Sequence, residues 1–482
     1  MYLKNRPHHS VQLDQHIPEQ VFPPDLSIKF IANLLNNFCT TSNRISDEGV
    51  TSIPGAMIAS PSREEDPETD QNYVYDWTRD SGLVIMEIEQ LIDDFRWLKT
   101  LLVNYYQFVS ASFKTSQFRD QAKWKIDGTP FVNWGHQGDG PATRILALQR
   151  IEKHIQDKID CKEFDSILEE YLKWVLNNYQ NDTVNIWEEV KGQHFYTYAI
   201  NYTALSMLVS RRGFENYTNQ INTAMNDMIT KRNQFIQNSY VKSSISSTTA
   251  SGNDLNIDVM FALYLSNGFG QNLSTDTYLV TIEKIVRYFR EEYTINNADT
   301  ALGFGISLGR YPGDVYDGEM GSGINEGQPW FISTLIYGTY LYRLVREYAE
   351  NQRDIIINDI NAGFFRLIGL DLKGTITFGT AKYIESLTKI MDAANRQVFS
   401  CRRHSDGAHL SEQYNRYSGF MSSVRDLSWS YKEYFAAQNE CSLAYSAIKS
   451  IRGFEAEAEK KWTKRGKLRP SGRLIVAMQD EM

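Results

Sequence analysis

Cysteine is scarce in this chain of 482 residues, and the four present, Cys39, Cys161, Cys401 and Cys441, are widely separated. That spacing excludes a CxxC metal knuckle and a disulfide-stapled framework, and it fits buried structural thiols in a reducing compartment. Long apolar runs are missing too: no stretch of about eighteen apolar residues occurs, so no membrane span is expected. The segment Met1-Tyr2-Leu3-Lys4-Asn5-Arg6-Pro7-His8-His9 has neither the apolar core nor the cleavage signal of a secretory leader. A cytoplasmic location is therefore favoured, with export by a route without a classical signal left open. The eight histidines form no HExxH or comparable ligand set, so no metal and no cofactor are expected. Basic residues are outnumbered: 50 Lys and Arg against 59 Asp and Glu give a net charge of −9. An acidic chain binds polyanions poorly, which excludes nucleic acid as the main partner and is compatible with a neutral substrate. A monomer is expected.

Aromatic side chains are abundant: 9 Trp, 28 Tyr and 24 Phe make up 13% of the chain. Aromatics beyond the needs of a core suit stacking on sugar faces, and a Tyr-rich core accounts for them equally well. The length allows one large domain or two to three ordinary ones, and a 42% hydrophobic share supports a sizeable core. The triplets Asn201-Tyr202-Thr203 and Asn216-Tyr217-Thr218 match a glycosylation acceptor but are read as chance, there being no leader.

Residues 1–25 read as an irregular arm, broken by Pro7, Pro18, Pro23 and Pro24. Apolar residues then recur at three- and four-residue steps, first as Ile28, Ile31, Leu34, Leu35 and Phe38. This periodicity predicts helices over 26–38, from Gly82 to Ile92, 97–112, from Gly140 to Ile155, 163–179, 193–211, 214–236, 257–267, 276–294, from Trp330 through Leu344, 355–369, 379–396, and after Tyr431 to about 450. Loops lie between them at 50–75, 117–138, the polar 240–256, the Gly- and Pro-punctuated 308–318, and 401–411. Strand signal is nearly absent. About a dozen helices with chemistry-bearing loops between them suit an all-α fold, a closed ring of helix pairs with its site on one face. A solenoid is compatible with the count, although no fixed-period repeat supports one. The body of the protein is placed at 26–455. Residues 456–482, with Lys460, Lys461, Lys464, Arg465, Lys467, Arg469 and Arg473, are read as a solvated basic tail.

Chemistry concentrates in Asn185-Ile186-Trp187-Glu188-Glu189-Val190. Hydrolysis of a glycosidic bond usually needs one carboxylic acid that stays protonated near neutral pH and a second, distant carboxylate. An apolar ring such as Trp187 against a glutamate penalises its charged form, and a neighbouring carboxylate pushes the same way. Glu188 and Glu189 are therefore candidates for a general acid, although adjacent glutamates are common on solvated helix faces. Asp76-Trp77-Thr78-Arg79-Asp80, at a helix start, sets a forked donor beside an acceptor among aromatics. That fits a clamp for sugar hydroxyls; an N-cap with a local ion pair is the plainer alternative.

Six groups of residues occur in order across 50–450: Tyr73-x-Tyr75-x-Trp77-Thr78-Arg79-Asp80-Ser81; Trp134-Gly135 with Asp139-Gly140-Pro141-Ala142 and Arg144; Trp187-Glu188-Glu189-Val190-x-Gly192; Gly309-Arg310-Tyr311-Pro312 with Pro329-Trp330-Phe331; Ser411-Glu412-Gln413-Tyr414; and Arg425-Asp426-Leu427-x-Trp429-Ser430. Together they resemble the glucoamylases of the fungal and yeast type, glycoside hydrolase family 15. The resemblance implies an (α/α)6 barrel, an α-glucan substrate, and inverting release of glucose from the non-reducing ends of α-1,4-linked chains. It implies Glu188 as general acid and Glu412 as general base, with carboxyls about 6.5–9.5 Å apart. On a regular backbone Glu189 diverges from Glu188, and it is expected to hold the sugar beyond the cleaved bond. Arg79, Asp80 and Arg310 are expected to grip hydroxyls of the terminal glucose, and Tyr73, Trp77, Trp134, Trp187, Trp330 and Trp429 to line the pocket. Three places depart from the family pattern: Asn185 stands for an Asp, the loop from Trp134 to Pro141 is one residue shorter and lacks an Arg and a Pro, and Gly313 stands for an acid. Loss of the Asp charge is expected to lower the acid's pKa. No starch-binding domain is recognised, so granular starch is expected to be a poor substrate. The alternatives are the same barrel with another linkage preference, α-1,6 or trehalose, and a non-catalytic glycan- or partner-binding protein.

Overall fold

The computed structural model describes residues 17–42, 44–65, 71–93, 95–245, 254–318 and 325–451. Among them run α1 (Ile17–Val21), α2 (Pro24–Asn36), α3 (Thr78–Gln90), α4 (Lys99–Thr115), α5 (Gly140–Ile155), α6 (Cys161–Asn178), α7 (Phe195–Leu208), α8 (Thr218–Gln234), α9 (Asp258–Leu265), α10 (Asp276–Glu292), α11 (Ile295–Ala301), α12 (Phe331–Glu350), α13 (Ala362–Leu367), α14 (Ala381–His404) and α15 (Ser428–Ser450).

Burial separates two kinds of helix. In α6 the buried positions Phe164, Ile167, Leu168, Tyr171, Leu172 and Val175 form one stripe, and α10 and α14 are built alike. Such helices cover a core from outside. In α3, α7, α9 and α12 burial runs round most of the helix, as it must where other helices surround it. α3, α5, α7, α9, α12 and α15 each pack on the next, and α15 packs back on α3, closing the ring. α2, α4, α6, α8 and α14 lie against that ring from outside. α10 joins the outer layer through Tyr278, whose ring meets Phe195 of α7. The architecture is an (α/α)6 barrel, so the all-α ring is the correct reading and the solenoid is not.

The loops carry short antiparallel pairs: Asp76–Trp77 with Lys123–Trp124, Thr183–Val184 with Lys191–His194, and Ser411–Tyr414 with Met421–Arg425. Strands this short leave too few residues for alternation to register. The arm expected to be irregular is helical from Ile17. Pro18 is the second residue of α1 and Pro24 the first of α2, where a missing N–H costs no hydrogen bond. Residues 1–16 and the basic tail lie outside the described residues. The helix expected over 355–369 is instead a strand, Ile355–Ile357, paired with Gly374–Ile376 and followed by the short α13; three β-branched residues in a row favour the strand. α14 runs on to His404, because Cys401 and His404 continue its buried stripe through residues expected as loop. In the loop expected over 240–256, Tyr240–Val241 and Ser244–Ile245 are strands, and 246–253 lie outside the described residues. Among the described residues no helix is long and apolar enough to cross a membrane. No group of three His, Cys, Asp or Glu there is placed to hold a metal ion. All four cysteines are free, with only Cys161 exposed.

Candidate active site

The segments leading into α3, α12 and α15, with the turn at 185–190, wall a cavity of about 500 Å³. That turn joins Thr183–Val184 to Lys191–His194, and Asn185 shapes it. The buried Asn185 Oδ1 accepts from the backbone N–H of Glu189 at 3.0 Å and of Val190 at 3.2 Å. Glu188 takes the left-handed conformation, φ 66°, which a glutamate adopts only where its surroundings enforce it. The regular backbone assumed for the Glu188–Glu189 pair is therefore absent. Glu188 lines the cavity: Trp77 Nε1–H donates to Oε1 at 3.1 Å and Trp134 Nε1–H to Oε2 at 2.7 Å. Glu189 sits at the exposed rim, where it pairs with Arg310 at 2.8 Å and accepts from the Tyr311 hydroxyl.

Burial raises the Glu188 carboxyl to about 7; Arg79, 3.8 Å away, opposes this and the charge of Asp80 adds to it. The side chain is still 23% exposed, which keeps it within reach of a ligand in the cavity. Two parts of the expectation change. The second carboxylate acting on the acid is Asp80 and not Glu189. The indoles at the carboxyl are Trp77 and Trp134, whereas Trp187 donates to Asn256 Oδ1 at 2.9 Å and stacks on Trp429 with planes 17° apart. An indole N–H favours the ionised carboxylate, while the same ring excludes water and disfavours it. Here exclusion of water wins.

Glu412 is buried on the strand Ser411–Tyr414. Opposite it the partner strand is irregular, Ser411 pairing with Arg425 but Gln413 with Ser422. This bulge holds Ser423 at φ 64° and aims its hydroxyl at the carboxylate. Ser423 Oγ donates to Oε2 at 2.5 Å, Tyr316 OH to Oε2 at 3.2 Å and Tyr73 OH to Oε1 at 3.2 Å. Burial raises the Glu412 pKa; the hydroxyls of Ser423 and Tyr316, the Arg310 charge and the Tyr73 hydroxyl pull it back. Tyr73 also packs on Trp77 with ring centroids 5.4 Å apart, so Glu412, Tyr73, Trp77 and Glu188 form one connected series.

Deeper in the cavity, Arg79 donates to Gln137 at 3.2 Å, Asp139 at 3.1 Å and the Ile186 carbonyl at 2.8 Å. These bonds tie the 134–141 loop to the turn that carries Glu188, and they leave the buried Arg79 Nε without a partner. Asp80, in the first turn of α3, is buried and raised to about 6, with Arg79 opposing. Arg310 binds Asp314 through Nε at 2.8 Å and Nη2 at 2.5 Å, so the acid after Gly313 fills the fork. Its Nη1 meets no protein acceptor among the described residues.

Residues 42–439 match the family described as Glycosyl hydrolases family 15. The chain belongs to that family. Family 15 relatives include the intracellular sporulation-specific glucoamylase of Saccharomyces cerevisiae, 27% identical over 443 residues, covering 80% of this chain and 78% of the relative. A glucoamylase of Saccharomycopsis fibuligera is 25% identical over 445 residues, covering 78% and 82%. The solved glucoamylase of Saccharomycopsis fibuligera has the same fold, with a TM-score of 0.74 over 92% of this chain and 97% of that one at 22% identity. The glucoamylase of Hypocrea jecorina gives 0.73 over 90% and 75%, also at 22%. As a family 15 member the protein is a glycoside hydrolase.

In this family 15 chain all twelve residues singled out from the sequence, Tyr73, Trp77, Arg79, Asp80, Trp134, Trp187, Glu188, Glu189, Arg310, Trp330, Glu412 and Trp429, line the one cavity. Three others escape sequence reasoning. Tyr316 was findable as an aromatic inside a Gly- and Pro-rich loop. Ser423 carries no signal, because a bulge aims it. Lys123 is a buried cation caged by Tyr75, Trp77, Phe131 and Trp134 at 4.1–4.8 Å, lowered to about 8 by burial against the pull of Glu188.

Proposed function

We propose that the protein is a glucoamylase that removes terminal α-1,4-linked glucose from glycogen, soluble starch or maltooligosaccharides by inversion, releasing β-D-glucose. The observation that carries this reading is two carboxyls on one cavity, both raised by burial but differently held, Glu188 by two indoles and Glu412 by three hydroxyls. Glu188, raised to about 7, is protonated across the acidic range and can give its proton to the glycosidic oxygen as the bond to C1 breaks. Glu412 accepts three hydroxyl hydrogen bonds, which favour its ionised form. In that form it takes a proton from the water that attacks C1 from the opposite face.

The remaining groups fit this assignment. Asp80 and Arg310 Nη1 are open to sugar hydroxyls, and Trp187, Trp330 and Trp429 offer ring faces and edges. Glu189, at the rim, suits the sugar beyond the cleaved bond. Arg79, Asp80, Arg310, Trp330 and Trp429 are buried while Glu64 and Glu189 are exposed, a gradient that favours a pocket taking a chain end. A monomer acting inside the cell is the matching setting, supported for location by the name of the yeast relative. The test is the first product from maltotriose followed by NMR. β-Glucose is expected; α-glucose, or no glucose, overturns the proposal.

A further inference from the structure

Behind the hairpin that carries Glu188 and Glu189 lies a second cavity, of about 320 Å³, the size of a small ligand site. Thr197 and Asn201, one turn apart on α7, line it together with Trp174 and Asn178 from the end of α6 and Asn181 from the turn after it. The hairpin stem contributes Thr183 and Lys191, and the 134–141 loop contributes His136 and Gly138.

Two features point to a ligand. Asn201 is buried, yet its Oδ1 has no hydrogen-bond partner. A buried carbonyl left so is destabilising unless something donates to it. The half-buried ring of Trp174 pairs with no other ring among the described residues and faces this space. The rest of the lining narrows the ligand's chemistry. Asn178 and Asn181 are joined to each other and Asn178 to the Trp174 carbonyl, and with the hydroxyls of Thr183 and Thr197 they make this wall polar. Asp120 and Asp182 outnumber Lys191, and Asp120 is paired with His136 at 3.1 Å, so phosphate or carboxylate is disfavoured. A neutral ring that is apolar on its face and hydroxylated on its edge suits both the Trp174 ring and the Asn201 Oδ1.

We propose that this cavity is a second glucan-binding site, holding a glucose unit of the polymer other than the one being cleaved; the choice of glucose rests on the glucoamylase reading. The two cavities share a wall. Thr183, Val184 and Lys191 form the stem of the turn that presents Glu188. The same loop carries Trp134 to one cavity and Gly138 to the other, and the Gly138 N–H is fastened to Thr183 Oγ1 at 2.7 Å. A chain held here keeps further chain ends beside the active cavity, raising their effective concentration.

The test is calorimetric titration of maltoheptaose into the full-length protein with the active cavity saturated by a cationic iminosugar, whose charge selects the paired carboxyls there. One further binding event is expected. Trp174→Ala is expected to abolish it, and Asn178→Ala to weaken it about tenfold; the KM for long glucans rises by a similar factor. Maltotriose hydrolysis, which needs the active cavity alone, reports whether each variant is folded, and Asn178→Ala decides the matter if Trp174→Ala is not. Absence of a second event in the saturated wild type, or its persistence in the folded variants, overturns the inference. Failure of the glucoamylase reading shows differently, as a wild type that does not cleave maltotriose at all.

Discussion

Ser423→Ala removes the shortest hydrogen bond that Glu412 receives, 2.5 Å to Oε2. A hydrogen bond to a charged group contributes about 1.5–3 kcal/mol. Water in the cavity replaces part of it, so the lower figure applies. One pKa unit corresponds to about 1.4 kcal/mol, which converts the loss to a shift of about one unit. Its sign follows from which form the hydroxyl stabilises. Ser423 donates to the ionised carboxylate and holds the pKa down, so its removal lets the pKa rise. If Glu412 works as an ionised base, the acid limb of the kcat/KM profile for maltotriose moves up by about one pH unit. The alkaline limb, set by Glu188 near 7, stays in place. Steady-state rates for wild type and variant across about pH 3–9 give both limbs at once. Tyr316→Phe, losing a 3.2 Å contact to the same oxygen, is expected to shift the acid limb in the same direction by less. An unmoved acid limb, or movement of the alkaline limb alone, refutes the assignment of Glu412 as the ionised partner.

Glu188→Gln and Glu412→Gln are each expected to lower turnover of maltotriose by about 10²–10⁴-fold while leaving the melting temperature unchanged or higher, since each removes a buried titratable group. Arg310→Met strands the buried Asp314 and is expected to cost about 3 kcal/mol in urea unfolding; Asp314→Asn added to it recovers part of the loss. Glu87, buried on α3, is raised to about 8 by burial, with Lys432 opposing and Glu433 adding. Its folded pKa exceeds its unfolded value, so the stability it contributes is complete below about pH 4 and is lost as pH rises toward 8. Calorimetry is therefore expected to show Glu87→Gln matching wild type near pH 4 and melting higher at pH 8.

The helices were legible because their stripes are long. Phe164 to Val175 repeats over three turns, enough for spacing alone to mark α6 as an outer helix. Ile355–Ile357 is too short to carry a period, and only the partner strand Gly374–Ile376, remote in sequence, decides its state. The cavity's lining was legible for a different reason: its residues recur as family segments, and that resemblance does not depend on local conformation. What each residue does there was less legible. Arg79 reads as a ligand-gripping fork, and spacing gives no sign that its two terminal nitrogens also hold Gln137, Asp139 and Ile186. Trp187 reads as the ring on the acid until the left-handed turn at Glu188 brings Trp77 and Trp134 there instead. Backbone irregularity, at Glu188 and at Ser423, is the information that spacing cannot carry.

The barrel's closure has a consequence for synthesis of the protein. The first residues of α15 are seated by the opposite end of the chain: Ser428 N–H donates to the Ala59 carbonyl at 2.8 Å, Asn37 Nδ2 donates to Ser428 Oγ at 2.8 Å, and Tyr434 meets Phe30 edge-on at 4.8 Å. A nascent chain halted before residue 410 holds Asp80 and Glu188 but has no Glu412, no Trp429 and no last stave against α3. Its innermost helices face water, which makes it a client for chaperones and not a weak enzyme. If Glu412 is the base, competence therefore waits for residues 411–450, and a frameshift ahead of them removes it.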